Sequence, residues 1–161
     1  MRSYRFKKFG VPAAEALARV DETIPTPGRG EVLVRVRASS LNFRDLIIQG
    51  GQFPWPVAPG RVPVSDAAGE VEAVGEGVSR FKVGERVLNA FYPNWFGGPF
   101  NAMPEQWVVD QDGWLTEYKV VSAEVLTAIP EHLSFEEAAA LPCTSVAAWS
   151  ALAGVGPGDV V

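Results

Sequence analysis

The chain has 161 residues, of which 47% are hydrophobic, and its net charge at neutral pH is −5. This length fits one domain of ordinary size, or one domain with part of another. The negative charge argues against a nucleic-acid partner, which requires a concentrated basic face. We expect neither a membrane span nor a secretory signal, because no apolar run has the required length or position.

The contents of glycine, proline and cysteine indicate the fold class, the cellular compartment and the capacity for binding zinc. Sixteen glycines and thirteen prolines favour a turn-rich β architecture over a helical bundle. The single Cys143 cannot form an internal disulfide, which fits a reducing cytosol and predicts a cytoplasmic protein. One cysteine and one histidine also leave few soft ligands for zinc.

The first half of the chain is predicted to consist of short strands separated by turns and loops. Residues 4–9 and 16–20 are predicted to be strands joined by a turn, and 23–31 is a loop interrupted by proline and glycine. Valine alternates with arginine in 31–39, which is the clearest half-buried strand. Residues 43–51 fit a short helix closed by two glycines.

The next segment, 52–63, is predicted to be a loop because prolines recur in it. Four further strands are predicted, at 68–75, 85–91, 116–122 and 125–130. Glycines between the first two supply tight turns, since glycine adopts positive φ at little cost. A long aromatic loop occupies 92–114.

The composition changes near 125–130, where we predict a domain boundary. Ser134 and Glu137 form a capping-box pattern that predicts a helix over 134–142. A second helix is predicted over 144–153. Residues 156–161 fit a turn followed by the first residues of a new strand.

Three segments in this order resemble the medium-chain dehydrogenase/reductase superfamily: SLNFRDLI (40–47), the glycine-punctuated stretch 63–87, and LPCTSVAAWSAL (141–152). The match is closest to the zinc-independent branch, which includes quinone-oxidoreductase-like and NADP-dependent alcohol-dehydrogenase-like proteins. The resemblance implies a mainly β fold with short helices, a GroES-like, partly open β-barrel over 1–128. It also implies that 129–161 holds the first helices of an α/β Rossmann domain, and that the full-length protein is a homo-oligomer.

The resemblance also bears on zinc. Zinc-dependent members carry a cysteine ligand at the position of Asn42, and a His-Glu pair at the positions of Ser65 and Asp66. Asparagine and serine are poor zinc ligands, and Asp66 alone cannot hold the ion. We therefore expect no zinc and no other metal.

The same positions supply the candidate site. Asn42 resembles an active-site asparagine whose amide donates to a cofactor or substrate oxygen, although it could instead cap the following helix. Asp66 is a candidate for a proton relay, and the alternative is a carboxylate that bonds backbone amides in a turn. Ser65 is a candidate for the lining of the substrate cleft. Arg44 and Asp45 are candidate cofactor contacts. For Arg44 we favour the alternative of a solvated helix residue. For Asp45 we favour the alternative of a carboxylate in the first turn, where the helix dipole stabilises it.

The candidate substrate surface is the aromatic stretch 91–107, which overlaps the loop 92–114. Its aromatic residues are Phe91, Tyr92, Trp95, Phe96, Phe100 and Trp107. Aromatic side chains provide flat apolar area for a ring or an acyl chain, and we assign that role to Tyr92, Trp95 and Phe96. The alternatives are a small core beneath the loop and a dimer contact.

The remaining candidates lie after the predicted boundary. Many relatives have a threonine near the nicotinamide where this chain has Ala147. Thr144 and Ser145 carry nearby hydroxyls that can compensate, and we assign the cofactor contact to Thr144. His132 is expected at the surface, and Cys143 is expected to be a small core residue.

The function implied is hydride transfer from NADP(H) or NAD(H) to a small apolar quinone, enone or carbonyl substrate. A dinucleotide pyrophosphate needs a strand, a Gly-rich turn and a helix N-terminus, and the chain stops where that strand would begin. We therefore expect the cofactor to be bound mainly by a domain absent from this chain. On that reading the chain is the N-terminal catalytic part of an enzyme, inactive by itself. The alternative is a stand-alone GroES-like binding or scaffold module without catalysis.

Overall fold

The computed structural model describes residues 1–99, 102–156 and 158–160. Within them the chain forms seven strands: β1 (Arg2–Phe6), β2 (Leu17–Asp21), β3 (Glu31–Ser40), β4 (Asp66–Val74), β5 (Arg86–Asn89), β6 (Tyr118–Ser122) and β7 (Leu126–Ala128). The α-helices are short: α1 (Ala13–Ala16), α2 (Phe43–Gln49), α3 (Phe135–Ala139) and α4 (Val146–Ala151). A 3₁₀ turn (Ala123–Val125) precedes β7, and a π-helical segment (Leu141–Ser145) precedes α4.

Most of the strands form one antiparallel sheet, in the order β6-β3-β4-β5-β7, and β1 pairs with β2 in a separate hairpin. The prediction of a mainly β fold with short helices is confirmed. The register of the central pair sets Val32 opposite Val74 and Ser40 opposite Asp66. Because α2 starts three residues after Ser40, the start of β4 lies close to the start of α2.

The main core lies between the sheet and the long loop that follows β5. Val32 and Val34 of β3 and Val87 of β5 are buried on the sheet, and the first two belong to the valine alternation that predicted β3. Trp107 and Trp114 from the loop are also buried, with their ring centroids 5.5 Å apart in an edge-to-face arrangement. Two tryptophans of the aromatic loop therefore belong to the core.

Lys119 on β6 attaches the same loop to the sheet. Its ammonium group donates to the carbonyl oxygens of Asp112 and Gly113, the latter at 2.9 Å. It also lies over the rings of Trp107 and Trp114, at 4.7 and 5.2 Å from their centroids. Burial lowers the pKa of this amine to about 7. The loop is thus attached to the sheet by polar contacts as well as by packing.

A second, smaller core lies where α3 packs on the outer face of the sheet. Ala138 and Ala139 are buried against Ala68 and Ile129. The predicted capping box is present, with the Glu137 amide donating to Ser134 Oγ at 3.1 Å and the Ser134 amide donating to the Glu137 carboxylate at 2.8 Å. The helix is shorter than predicted and ends at Ala139.

Several predicted boundaries are wrong. The first strand is 2–6 rather than 4–9, and α1, which follows Pro12, was not predicted. The predicted helix over 144–153 begins earlier, as the π-helical segment, within which Thr144 Oγ1 donates to the Ala140 carbonyl. Of the predicted new strand, 158–160 has no strand structure. Phe100, Pro157 and Val161 lie outside the described residues.

The backbone of Gly28 lies so close to Gly75 that a side chain at position 75 should destabilise the fold. A Cβ atom at Gly75 would overlap the carbonyl oxygen of Gly28, and the Gly75 amide donates to Glu31. We expect Gly75→Ala to lower the free energy of unfolding by about 3 kcal/mol or more, since backbone must move to admit the methyl group. Urea unfolding measures this, with the exposed neighbour Glu76→Ala as the control. Equal stability of the two variants would contradict the prediction.

Candidate functional site

Three segments meet at one end of the sheet, around the first residue of β4. Asn42, which precedes α2, donates from Nδ2 to Asp66 Oδ2 at 3.0 Å. The backbone amide of Cys143, in the π-helical segment, donates to the same oxygen at 3.1 Å. Two of the predicted site residues, 24 positions apart in the sequence, are therefore in direct contact.

The carboxyl group of Asp66 is the most unusual feature of this cluster. The residue is 0% exposed, and among the described residues its Oδ1 atom has no hydrogen-bond partner. Burial raises the pKa of Asp66 to about 6, against the opposing effect of the hydrogen bonds from Asn42 and Cys143. The carboxyl group therefore gains or loses its proton close to neutral pH.

Asp45 has a structural role in the first turn of α2. Its carboxylate accepts a hydrogen bond of 2.8 Å from the backbone amide of Asn42, so the favoured interpretation of a first-turn carboxylate is confirmed. Burial raises the pKa of Asp45, and the Asn42 hydrogen bond opposes that effect. A cofactor contact by Asp45 stays a prediction.

Arg44 is not the solvated helix residue that the sequence favoured. Its side chain is half-buried and donates to Ser65 Oγ from one nitrogen. The other terminal nitrogen donates to Gln106 Oε1 at 3.1 Å and to the carbonyl oxygen of Trp107 at 3.0 Å. These three partners lie 21, 62 and 63 positions away in loops, so the sequence of α2 alone does not indicate them. A cofactor contact by Arg44 stays a prediction.

The predicted substrate residues form a partly exposed aromatic group. Phe91 and Tyr92 meet edge to face with centroids 4.9 Å apart, and Tyr92 and Trp95 meet similarly at 6.3 Å. Phe96 is 68% exposed. Phe91 also lies beside the guanidinium group of Arg44, with Cζ 5.7 Å from the ring centroid. The aromatic group thus begins next to the Asn42–Asp66 cluster.

The structure shows how exposed the four candidate residues between 132 and 147 are, and it corrects the expectation for Cys143. Cys143 is not a buried core residue but is half-buried beside Asp66, and burial raises the pKa of its thiol. Thr144 and Ala147 are exposed, and His132 is exposed as predicted. Thr144 Oγ1 donates to Ala140, so its cofactor role stays a prediction.

Two contributors to the cluster were missed by sequence reasoning. The backbone amide of Cys143 and the side chain of Gln106 carry no periodicity or spacing that identifies them. Pro142 at the start of the π-helical segment was a signal for a change of helix geometry, but not for a hydrogen bond to Asp66.

The donor set of this cluster does not fit zinc. Asn42, Ser65 and Asp66 supply one carboxylate and two neutral groups, and Ser65 Oγ accepts a hydrogen bond from a cationic guanidinium. Within 1–99, 102–156 and 158–160, no three or more His, Cys, Asp or Glu side chains are grouped so that they could hold a metal ion. A cation at this position would face Arg44 with too few ligands to offset the repulsion.

None of the helices in the described part of the chain has the length and apolar character that crossing a membrane requires.

Comparison with known proteins gives consistent matches. Residues 28–131 match the family of the alcohol dehydrogenase GroES-like domain. A zinc-type alcohol dehydrogenase-like protein of Schizosaccharomyces pombe is 43% identical over 78% of this chain and 37% of its own length. A quinone oxidoreductase of Pseudomonas aeruginosa is 39% identical over 85% of this chain and 36% of its own length.

A solved structure described as an NAD-dependent alcohol dehydrogenase matches with a TM-score of 0.85 and 32% identity, over 99% of this chain and 49% of that one. The chain therefore spans less than two fifths of the two curated relatives and about half of this structure.

The raised pKa of Asp66 predicts a pH-dependent stability. Since its native pKa of about 6 exceeds the ordinary value of 3.8, the native state binds this proton more tightly than the unfolded state. The stabilising effect is complete below about pH 4 and is lost as the pH rises through about 6. Relative to Asp66→Asn, the wild-type chain should lose about 2 kcal/mol of unfolding free energy between about pH 4 and about pH 7.5.

Denaturant unfolding at several pH values measures this difference. Glu72→Gln, an exposed carboxylate on the same strand, is the matched control and should show no such change. A stability difference between wild type and Asp66→Asn that is the same at both ends of the pH range would refute the assignment.

Proposed function

Because the chain belongs to the family of the alcohol dehydrogenase GroES-like domain, within the medium-chain dehydrogenase/reductase superfamily, we propose that it is the catalytic part of a zinc-independent, nicotinamide-dependent reductase. Its substrates are apolar quinones, enones or carbonyl compounds. The observation that carries this proposal is the hydrogen-bonded pair of Asn42 and Asp66, at positions that resemble those of the metal ligands in zinc-dependent members.

Reduction of a carbonyl or quinone places negative charge on an oxygen atom. Without a metal ion, several kcal/mol of charge stabilisation must come from oriented hydrogen-bond donors. Asn42 is half-buried, and among the described residues Nδ2 uses one hydrogen, toward Asp66. Its second amide hydrogen is available for a substrate oxygen.

Asp66 acts through Asn42. Because Asp66 is fully buried, its carboxyl group does not reach a substrate in the open cleft. It instead fixes the rotamer of the Asn42 amide by accepting from Nδ2, and the Cys143 amide holds the same carboxyl oxygen from the other side. Asp66 is thus a positioning residue whose protonation near neutral pH alters the strength of the hydrogen bond to Asn42.

The residues at the cleft fit the nicotinamide end of a dinucleotide. Asn42 and the exposed Thr144 lie on the two segments that meet at Asp66, and both carry groups that can bond a carboxamide. Bound nicotinamide supplies the hydride. Nothing in the described residues has the strand, Gly-rich turn and helix arrangement that a pyrophosphate needs, which supports a cofactor held mainly elsewhere.

An apolar acceptor is favoured by the aromatic group beside this cluster. Tyr92, Trp95 and Phe96 present ring surface, and rings stack well on flat conjugated molecules. Quinones and enones also delocalise the charge that they gain, so they need less stabilisation than a simple carbonyl. The quinone oxidoreductase among the relatives agrees with this substrate class.

Removing the Asn42 amide tests the proposal directly. In the full gene product, Asn42→Ala should lower kcat about 100-fold, as expected for the loss of one donor to a developing oxyanion. It should also lower the unfolding free energy by about 1 kcal/mol, because the buried Asp66 carboxyl group loses one of its two donors. Steady-state NADPH or NADH oxidation with a quinone, an enone and an aldehyde measures the first effect.

Ser134→Ala is the matched control for stability. Ser134 caps α3 through its side chain and lies outside the cluster, so its loss should lower the unfolding free energy by a similar amount without changing kcat. If Asn42→Ala turns over like this control, Asn42 has no part in catalysis.

Zinc independence has its own test. We expect the purified full gene product to contain less than about 0.1 zinc per chain and to keep its activity in EDTA, because the donor set is too weak for tight binding. Added Zn²⁺ should also leave the melting temperature of the chain unchanged. Stoichiometric zinc whose removal abolishes activity would overturn the metal-free mechanism.

A further inference from the structure

Arg44 joins two segments that are distant in the sequence. One terminal nitrogen of its guanidinium group bonds Ser65, the residue before Asp66. The other bonds the side chain of Gln106 and the backbone oxygen of Trp107, 62 and 63 residues away. A single side chain on α2 thus connects the start of β4 with the end of the aromatic loop.

The guanidinium group is also enclosed by aromatic rings. Its Cζ atom lies 4.9 Å from the ring centroid of Phe53 and 5.7 Å from that of Phe91. Phe53 belongs to the loop that follows α2, and Phe91 is the first residue of the aromatic loop. Rings of this kind fix the plane of a guanidinium group as well as its position.

The contacts that are within bonding distance of Arg44 are all with neutral groups. Across the described residues, no carboxylate lies within ion-pair distance of its guanidinium nitrogens. Burial is the main influence on this group and lowers its pKa, although it remains charged. Burying a charge without an ion-pair partner costs free energy, so the hydrogen bonds and rings must offset that cost. A surface arginine does not require such a set of partners.

We propose that Arg44 is a positioning residue that holds the aromatic loop against Ser65 and so sets the shape of the substrate cleft beside Asn42. This inference rests on the proposed reductase function. It assigns to Arg44 the selection of flat, ring-bearing substrates, and it leaves the reacting atoms to Asn42.

The geometry explains why the effect should fall on binding. Without Arg44, Gln106 Oε1 and the Trp107 carbonyl lose their donor, and Phe91 loses one of its neighbours. The loop can then move relative to α2, whereas Asn42 keeps its bond to Asp66. Substrate contacts along the loop weaken in the ground state and the transition state alike, which raises KM and leaves kcat nearly unchanged.

The kinetic test compares Arg44→Met and Arg44→Lys with wild type in the full gene product, using a ring-bearing quinone. We expect Arg44→Met to raise KM about 10-fold and to change kcat less than about 3-fold. Lysine keeps the charge but cannot serve both directions with a planar group, so Arg44→Lys should recover part of the loss. An unchanged KM, or a 100-fold fall in kcat at unchanged KM, would overturn the proposal.

Arg80→Met is the matched control. Arg80 also lies over a ring, that of Phe81 at 5.2 Å, and it forms an ion pair with Glu124 at the surface. Its loss should leave both kinetic constants unchanged. If Arg44→Met does not fold, Gln106→Leu removes one partner of Arg44 from the other side and should raise KM in the same direction. An unchanged KM in that variant would count against the proposal equally.

A second measurement keeps this proposal separate from the reductase function. The amides of Asp110 and Gln111 bond the Gln106 carbonyl, so their hydrogen exchange reports on this end of the loop without any substrate. We expect at least about 10-fold faster exchange of these amides in Arg44→Met than in Arg80→Met. Unchanged exchange would overturn the role of Arg44 whatever the activity. Faster exchange in a protein that reduces no acceptor would support the role of Arg44 in the loop and reject the reductase.

Discussion

The arrangement of the site depends on one buried carboxyl group. Asp66 begins β4 with no exposed surface, and the two donors that stabilise it come from Asn42 and from the Cys143 backbone. A carboxyl group in this position costs free energy unless its partners are held in place. Because of that requirement, the start of α2 and the π-helical segment must lie against the start of β4, so three separate parts of the chain form one cluster.

Much of this architecture is readable in the sequence, because local rules determine it. The alternating valines of β3, the glycines that punctuate 75–84 and the Ser134–Glu137 pair each act within a few residues, and each predicted its element. The contact between Asn42 and Asp66 was partly predictable, since the family resemblance assigns both to one site. Its geometry required the register that sets Ser40 opposite Asp66.

The parts that could not be predicted depend on tertiary contacts. Arg44 lies on a helix whose first turn looks solvated in the sequence, and the partners that make it internal come from 106–107, in a loop without periodicity. The early start of the last helical region, as a π-helical segment from Leu141, has Pro142 as its only local sign, and that proline does not specify the π-helical geometry. The partners of Arg44 have no local sign, so the sequence favours a solvated residue there.

The charges in the cluster explain why its residues are a poor ligand set for a metal ion. A zinc site concentrates anionic ligands around a cation, whereas here the one carboxyl group of the Asn42, Ser65 and Asp66 set is close to its pKa and Arg44 supplies a fixed positive charge beside Ser65. The same arginine attaches residues 106–107 to α2, so one side chain both disfavours a cation and holds the loop. Under the proposed function these two effects go together: the Asn42 amide polarises the substrate oxygen in place of a cation, and the loop held by Arg44 offers ring surface to a flat apolar molecule.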